Sequence, residues 1–336
     1  MALPSSILVT GATGFLGSRT VERLLAHPEV KQIIAAGRSI KAHAHIQSPK
    51  VVYRLGDLAD PAYVQSLFAH SVPQAIVNCA ALSSPWGRYE EFYRANVLSQ
   101  KHLIEQAETH GVPRFVYIST ATLYFNYRDR WGVKESDPLP SRLVNHYAST
   151  KREAEILLAQ SSLSHISIRP RALIGRGDTV IMPRLIRAYR EGRLKIIGSG
   201  ENQVDLTPVS NVVDAILLAL EAPETACGRV YNITNGKTIA LWPQITQILE
   251  RLGMEAPTQK VPFWLVKFVA GLMELSAKTI GGGKEPTLTR YSVGLLAQNF
   301  HIDISLARQH LGYEPKQTVA QAMDEFVDWY QSLPDD

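Results

Sequence analysis

The chain has 336 residues, 45% of them hydrophobic and 20% charged, with 35 Lys and Arg against 31 Asp and Glu. That length supplies a sizeable core for one large α/β unit or two smaller ones, and a formal charge of +4 is too small to argue for nucleic acid, which needs clustered basic faces. Two cysteines, Cys79 and Cys227, are too few and too far apart for a disulfide framework or a zinc pattern, which points to a reducing, cytoplasmic location. The opening "MALPSSILVTGATGFLG" has no basic n-region, so no signal peptide is expected there.

Apolar strand-like runs then alternate with helical patterns. Strands are predicted at "SILVTG" (6–11), "QIIAAG" (32–37), "VVYRLG" (51–56), "AIVNCA" (75–80), "RFVYIST" (114–120) and "HISIRP" (165–170). Between them lie helical runs such as "RTVERLLAH" (19–27), "AYVQSLFAH" (62–70) and "SQKHLIEQAETHG" (99–111). Strands apolar on both faces, in β-α order, predict an α/β fold with a doubly wound parallel sheet covered by helices on each side. After residue 170 the rhythm changes: "RVYNIT" (229–234) reads as one more strand, and most of 237–336 reads as helix. The expected division is a dinucleotide-binding domain of residues 1–170 with about 206–236. A smaller, mostly helical substrate region of about 171–205 with 237–336 is interleaved with it.

The first strand runs into "GATGFLGSRTVERLL", which puts Gly11, Gly14 and Gly17 between a strand and a helix. A tight turn needs glycine, close approach to a pyrophosphate excludes a Cβ, and a helix N-terminus offers unpaired N–H groups with a favourable dipole. The loop Gly11, Thr13, Gly14, Phe15, Leu16, Gly17 is therefore the expected cofactor cradle. At the end of the second strand "AAGRSIKAH" offers Arg38 where an NAD site usually has a carboxylate. Arg38 would grip a 2′-phosphate, favouring NADP(H). The alternative is that it stacks on adenine and accepts NAD(H) as well.

The spacing G-x-x-G-x-x-G with "TGATGFLG" resembles the extended short-chain dehydrogenase/reductase family. The resemblance implies that Asp57 and Leu58 in "GDLADP" contact adenine, and that Ala80 and Ala81 in "NCAAL" line the cofactor. It also implies that Pro170 in "SIRPRALIGRGD" packs beside nicotinamide, and that Asn96 in "RANVLSQ" supports the site unless it merely packs a helix.

"NHYASTKREAEILLA" sets Tyr147 and Lys151 four positions apart on one helix face. A surface pair would share that spacing. The family resemblance makes the two catalytic, together with a hydroxyl at Thr120 on the end of the fifth strand. A lysine ammonium close by, with the cationic nicotinamide of the oxidised cofactor, should lower the phenol's pKa, so Tyr147 could give a proton to a carbonyl or take one from an alcohol.

Later segments, among them "KIIGSGENQVDLTPVSNVVDAILLAL" and "EPTLTRYSV", resemble the 3β-hydroxysteroid dehydrogenase-like branch and the bacterial 2-alkyl-3-oxoalkanoate reductases. The implied activity is hydride transfer between NADP(H) and a keto or hydroxy group of a hydrophobic substrate, a β-keto acid or a 3-keto/3β-hydroxy sterol. A nucleotide-sugar epimerase or dehydratase with tightly held NAD(P) is the alternative. Arg171 would pair with a substrate carboxylate, unless it points outward or bridges to Asp178. Trp86 and Tyr124, with Phe125, Tyr127 and Trp131, would line an apolar pocket mouth. No metal site is expected, since His43 and His45 have no acidic or cysteine partners nearby.

Two surfaces stay open. Arg184, Arg187, Arg190 and Arg193 form a charged helix face, either solvated or meeting an anionic head group. "VPFWLVKFVAGLMELSAKTI" (261–280) is broken by Lys267, Glu274 and Lys278, so it reads as core, as a pocket lid, or as an interfacial helix in peripheral contact with a membrane. The family also implies a homodimer formed through two helices flanking the sheet.

Overall fold

The computed structural model describes residues 2–40, 45–279 and 284–333. Its centre is a seven-stranded sheet of β1 (Ser6–Thr10), β2 (Gln32–Gly37), β3 (Val51–Leu55), β4 (Ala75–Asn78), β5 (Arg114–Ile118), β6 (His165–Pro170) and β7 (Arg229–Ile233). The spatial order is β7-β6-β5-β4-β1-β2-β3, and every neighbouring pair is parallel. The order reverses between β1 and β4, which opens a crevice above their carboxyl ends where doubly wound sheets bind ligands.

Both faces of the sheet are covered because its strands are apolar on both sides. One face packs Ile7, Val9, Ile33 and Val116 against α1 (Phe15–Leu25) and α6 (Val209–Glu221). The other packs Leu8, Ile76, Phe115 and Tyr117 against α2 (Pro61–Ser66), α3 (Ser99–Thr109) and α4 (His146–Ala159). Strand centres fall where the apolar runs predict them. α1 starts four residues ahead of its predicted run and α2 one, while α3 starts at Ser99 as predicted; Asp60 and Asn145 cap α2 and α4 through Ala62 N and Ala148 N.

The second region holds α5 (Ile181–Arg190), α7 (Leu241–Arg251), α8 (Phe263–Thr279), α9 (Arg290–Ala297) and α11 (Val319–Gln331). Short strands accompany them, in one four-stranded and two two-stranded sheets. Two segments depart from the expected division. Residues Arg130–Val133 leave the N-terminal half to pair with Phe300–Ile302, and α10 (Ser305–Leu311) places Ala307 and Leu311 in the core beneath the large sheet. Both are long-range pairings that no local pattern encodes.

The charged face of α5 is solvated: Arg184 pairs with Glu285, and Arg193, beyond the helix, pairs with Glu191. Asp178 is not bridged to Arg171. Its carboxylate instead accepts the N–H groups of Val180, Ile181 and Met182 at the head of α5. His43 lies outside the described residues, and His45 sets its ring against Tyr53. No helix among the described residues is long and apolar enough to cross a membrane.

Candidate active site

Gly11 leaves β1 at φ +62, and a Cβ there would stand 2.8 Å from Ala80 N. A Cβ on Gly17 would strike Gly11 O, because α1 starts directly against the loop. These glycines press α1 onto the end of the sheet, so the N–H groups of Phe15, Leu16 and Gly17 face the crevice ahead of any intrahelical partner. A Cβ on Gly37 would meet Thr13 Oγ1 at 2.6 Å, so the loop also packs on the end of β2. A cradle that side chains would fill, at a helix N-terminus, fits a dinucleotide pyrophosphate.

Arg38 follows β2 and is exposed, with no ion pair to a described residue. Asp57, at the end of β3, accepts Arg94 Nη2 at 2.8 Å and Ala59 N at 2.9 Å. Those bonds, the Arg94 one foremost, hold its carboxyl below the usual range. Leu58 O is 3.2 Å from His102 Nδ1. Ala80 and Ala81 line the loop after β4, and Ala80 N donates to Asn78 Oδ1 at 3.1 Å. Asn96 serves this same loop: Leu82 N donates to its Oδ1 at 2.8 Å, and its Nδ2 donates to Thr150 Oγ1 at 3.0 Å. A π-helical turn, Tyr93–Leu98, aims Asn96 inward. Asn96 therefore ties the cofactor-side loop to α4.

Thr120, Tyr147 and Lys151 do converge at the carboxyl edge. Lys151 is buried, its Nζ donating to Ile118 O at 2.5 Å and standing 4.1 Å over the Tyr117 ring. Burial lowers its pKa to about 7, with Glu155 and Cys79 acting in the opposite direction. The phenol of Tyr147 lies beside the hydroxyls of Thr120 and Ser83, and its pKa is raised by burial, against the pull of both hydroxyls. Lys151 turns its Nζ toward the end of β5, and burial dominates at the phenol in the protein without cofactor. A phenol above its ordinary value keeps its proton at neutral pH, the state suited to giving one away.

A chain of hydroxyls extends the site. Thr120 Oγ1 donates to Thr122 Oγ1 at 3.0 Å, and Thr122 Oγ1 lies 3.2 Å from Tyr291 OH. Tyr291 comes from α9, in the second region. Arg171 points inward rather than to solvent. Its guanidinium carbon stands 4.1 Å over the Phe300 ring, and its Nε has no hydrogen-bond partner. Burial lowers its pKa to about 10, while Tyr291 and Asp205 favour the cation, so it stays charged at neutral pH. Asp205 is itself engaged by Ile302 N at 2.7 Å and His301 Nδ1 at 3.0 Å. Pro170, just before Arg171, ends β6 in the buried floor of the crevice.

Two aromatics differ in fate. Trp86 stays in the loop after β4, with Lys278 over its ring at 5.5 Å. Tyr124 is a correction: it is fully buried, its hydroxyl donating to Asn232 Oδ1 at 3.0 Å and accepting from Arg169 Nη1 at 2.5 Å. It belongs to a buried polar cluster behind the site, where a turn of 3₁₀ helix, Ala121–Tyr124, carries it inward. Sequence reading missed Ser83, Thr122 and Tyr291. Ser83 and Thr122 stand within three residues of recognised positions, whereas nothing local marks Tyr291.

A reversed parallel sheet, a glycine cradle at a helix head and a Tyr–Lys pair beside a strand-end hydroxyl define a nicotinamide-dinucleotide enzyme of the extended short-chain dehydrogenase/reductase class. Residues 7–234 match the NAD dependent epimerase/dehydratase family, and the chain belongs to it. It is similar to a 2-alkyl-3-oxoalkanoate reductase of Stenotrophomonas maltophilia (strain K279a), 31% identical over 94% of this chain and 97% of that protein. It is also similar to a decarboxylating sterol-4-alpha-carboxylate 3-dehydrogenase of Mus musculus, 30% identical over 98% of this chain and 91% of that one. The crystal structure of the Bordetella bronchiseptica enzyme WbmH in complex with NAD+ matches with a TM-score of 0.78 at 18% identity, covering 98% of this chain and 99% of that one. At that identity the match speaks for the fold alone.

Proposed function

We propose that the enzyme is an NADP(H)-dependent reductase of a hydrophobic β-keto acid. The observation that carries this reading is Arg171: a buried cation facing the hydroxyl chain of the site, with an unpartnered Nε and no hydrogen-bonded carboxylate among the described residues. Asp205, Tyr291 and the Phe300 ring compensate this buried guanidinium only in part, and a substrate carboxylate bonded to its free Nε would complete the compensation.

Bound nicotinamide would supply the hydride. Tyr147 would give its proton to the carbonyl oxygen, while Thr120 and Ser83 hold the phenol and that oxygen in line. Lys151 would hold the nicotinamide ribose, and Arg38 the 2′-phosphate. Arg38→Asp should cost about 10- to 100-fold in kcat/KM with NADPH and little with NADH, since a charge-assisted bond is replaced by repulsion. Parallel kinetics with the two cofactors check this, and an unchanged ratio retires Arg38 as phosphate reader.

The test of the substrate is NADPH absorbance decay on a long-chain 2-alkyl-3-oxo acid, its methyl ester and a 3-keto sterol. Decay is expected with the acid, about 100-fold less with the ester, and an equal loss on the acid in Arg171→Met. Turnover of the sterol alone moves the enzyme to the steroid branch. Tightly held cofactor with no net NADPH consumption favours the epimerase or dehydratase alternative.

The same reading includes a homodimer formed through α3 and α4, near which Tyr89, Tyr93 and Ile156 are exposed. It also includes a cytoplasmic location, in keeping with two free cysteines.

A further inference from the structure

Helix α8 is amphipathic the wrong way round for a helix facing water. Its inner face carries Ala270, Glu274 and Ala277, and Glu274 is spent on Arg290, accepting its backbone N at 2.7 Å and its Nε at 2.8 Å. Its outer face carries Trp264, Leu265, Phe268, Val269, Leu272 and Leu275, spaced as one continuous stripe. Trp264 is 70%, Phe268 62% and Leu275 59% exposed. The expectation of core fails for this face, because no described segment covers it. Single exposed apolar residues are ordinary; a contiguous stripe on one helix marks a contact surface.

The charge around the stripe says what covers it. Lys267 and Lys278 lie along one edge of the stripe on the helix itself, Lys278 exposed, and Lys260 and the exposed Lys284 precede and follow the helix in the chain. The nearby carboxylates are committed elsewhere, Glu274 to Arg290 and Glu285 to Arg184. A hydrophobic stripe bearing an indole and rimmed by ammonium groups fits the boundary between acyl chains and anionic head groups. A second copy of this chain would bring the same lysines against themselves. The helix is not long and apolar enough to cross a membrane, so contact with a bilayer would be along its surface.

We propose that α8 docks the enzyme peripherally on an anionic phospholipid surface through its Trp264–Leu275 face. The position is suited to substrate delivery. Lys278 stands over Trp86 and Lys267 over Tyr127, each at 5.5 Å, and α8 packs on α9, which carries Tyr291 into the site. A docked helix would set the pocket mouth at the lipid surface. The docking itself stands on α8 alone, whichever substrate the site accepts.

The test is co-sedimentation of the full chain with vesicles of phosphatidylcholine, with and without phosphatidylglycerol. Partition onto the anionic vesicles should be about 10-fold or more above that onto neutral ones, and Trp264→Ser/Phe268→Ser should lower it by about 100-fold. A thermal melt shows that the double variant is folded. Lys278→Gln/Lys284→Gln, which leaves the apolar stripe intact, should weaken only the preference for anionic vesicles. Absence of wild-type binding, or binding unchanged in the double variant, overturns the proposal. Light scattering that shows a wild-type dimer converted to monomer by Trp264→Ser/Phe268→Ser assigns the face to a second copy and overturns it as well.

Discussion

Tyr147→Phe should lower kcat for carbonyl reduction by about 1000-fold while leaving NADPH affinity within a few-fold. Phenylalanine keeps the ring and its packing at the head of α4 but has no proton to give. Thr120 and Ser83 would still stand beside the reacting oxygen, and so would the rest of the hydroxyl chain to Tyr291. Their residual polarisation explains why activity should fall steeply rather than vanish. Stopped-flow hydride transfer, with cofactor binding followed by nicotinamide fluorescence, separates the two effects. The pH profile gives a second check. Because burial raises the Tyr147 pKa, the protonated acid should persist through neutral pH, and the reductive rate should fall only in the alkaline range, above the ordinary tyrosine value of about 10. A Tyr147→Phe variant with full turnover would remove the residue from the chemistry altogether.

Arg169→Met should destabilise the enzyme by about 3–5 kcal/mol, although Arg169 touches neither cofactor cradle nor substrate pocket. Its guanidinium grips Glu155 bidentately, Nε to Oε1 at 2.8 Å and Nη2 to Oε2 at 2.6 Å, and both side chains are buried. Burial pushes the Glu155 carboxyl up, and the bonds and charge of Arg169 more than reverse that, holding it below the usual range. Without Arg169 the carboxylate is left with Arg152 at 3.1 Å, from the partly exposed end of the cluster, and Tyr124 loses a donor. Glu155 lies one turn after Lys151 on α4, so disturbance there should also loosen the catalytic lysine. The signature is non-additivity: Arg169→Met/Glu155→Leu should melt well above the sum of the two single losses, with a coupling on the order of 2 kcal/mol. Thermal melts of the four proteins measure it. Strict additivity would mean that the pair contributes independently and that the buried-charge argument is wrong.

The sequence and the structure divide the credit along a physical line. By itself the sequence determined the features encoded within one turn or one strand–turn–helix unit. Gly11, Gly14 and Gly17 were legible because their three-residue spacing falls between a strand and a helix, where a phosphate loop needs close backbone approach. The Tyr147–Lys151 pair was legible because four residues is about one helical turn, and the doubly covered parallel sheet because its strands are apolar on both faces. The tertiary structure decided whatever depends on which distant segments meet. It sent Tyr124 into a buried cluster with Arg169 and Asn232 rather than to the pocket mouth. It brought Tyr291 from α9 to the hydroxyl of Thr122, and turned Arg171 inward onto Phe300. It also turned the apolar face of α8 outward, since the composition of 261–280 fixes how much apolar surface that helix carries but not its rotation about its own axis. That rotation is set by Glu274 reaching Arg290, a contact between two helices. Local geometry is written in spacing, whereas the direction a side chain faces is settled by the partner it finds.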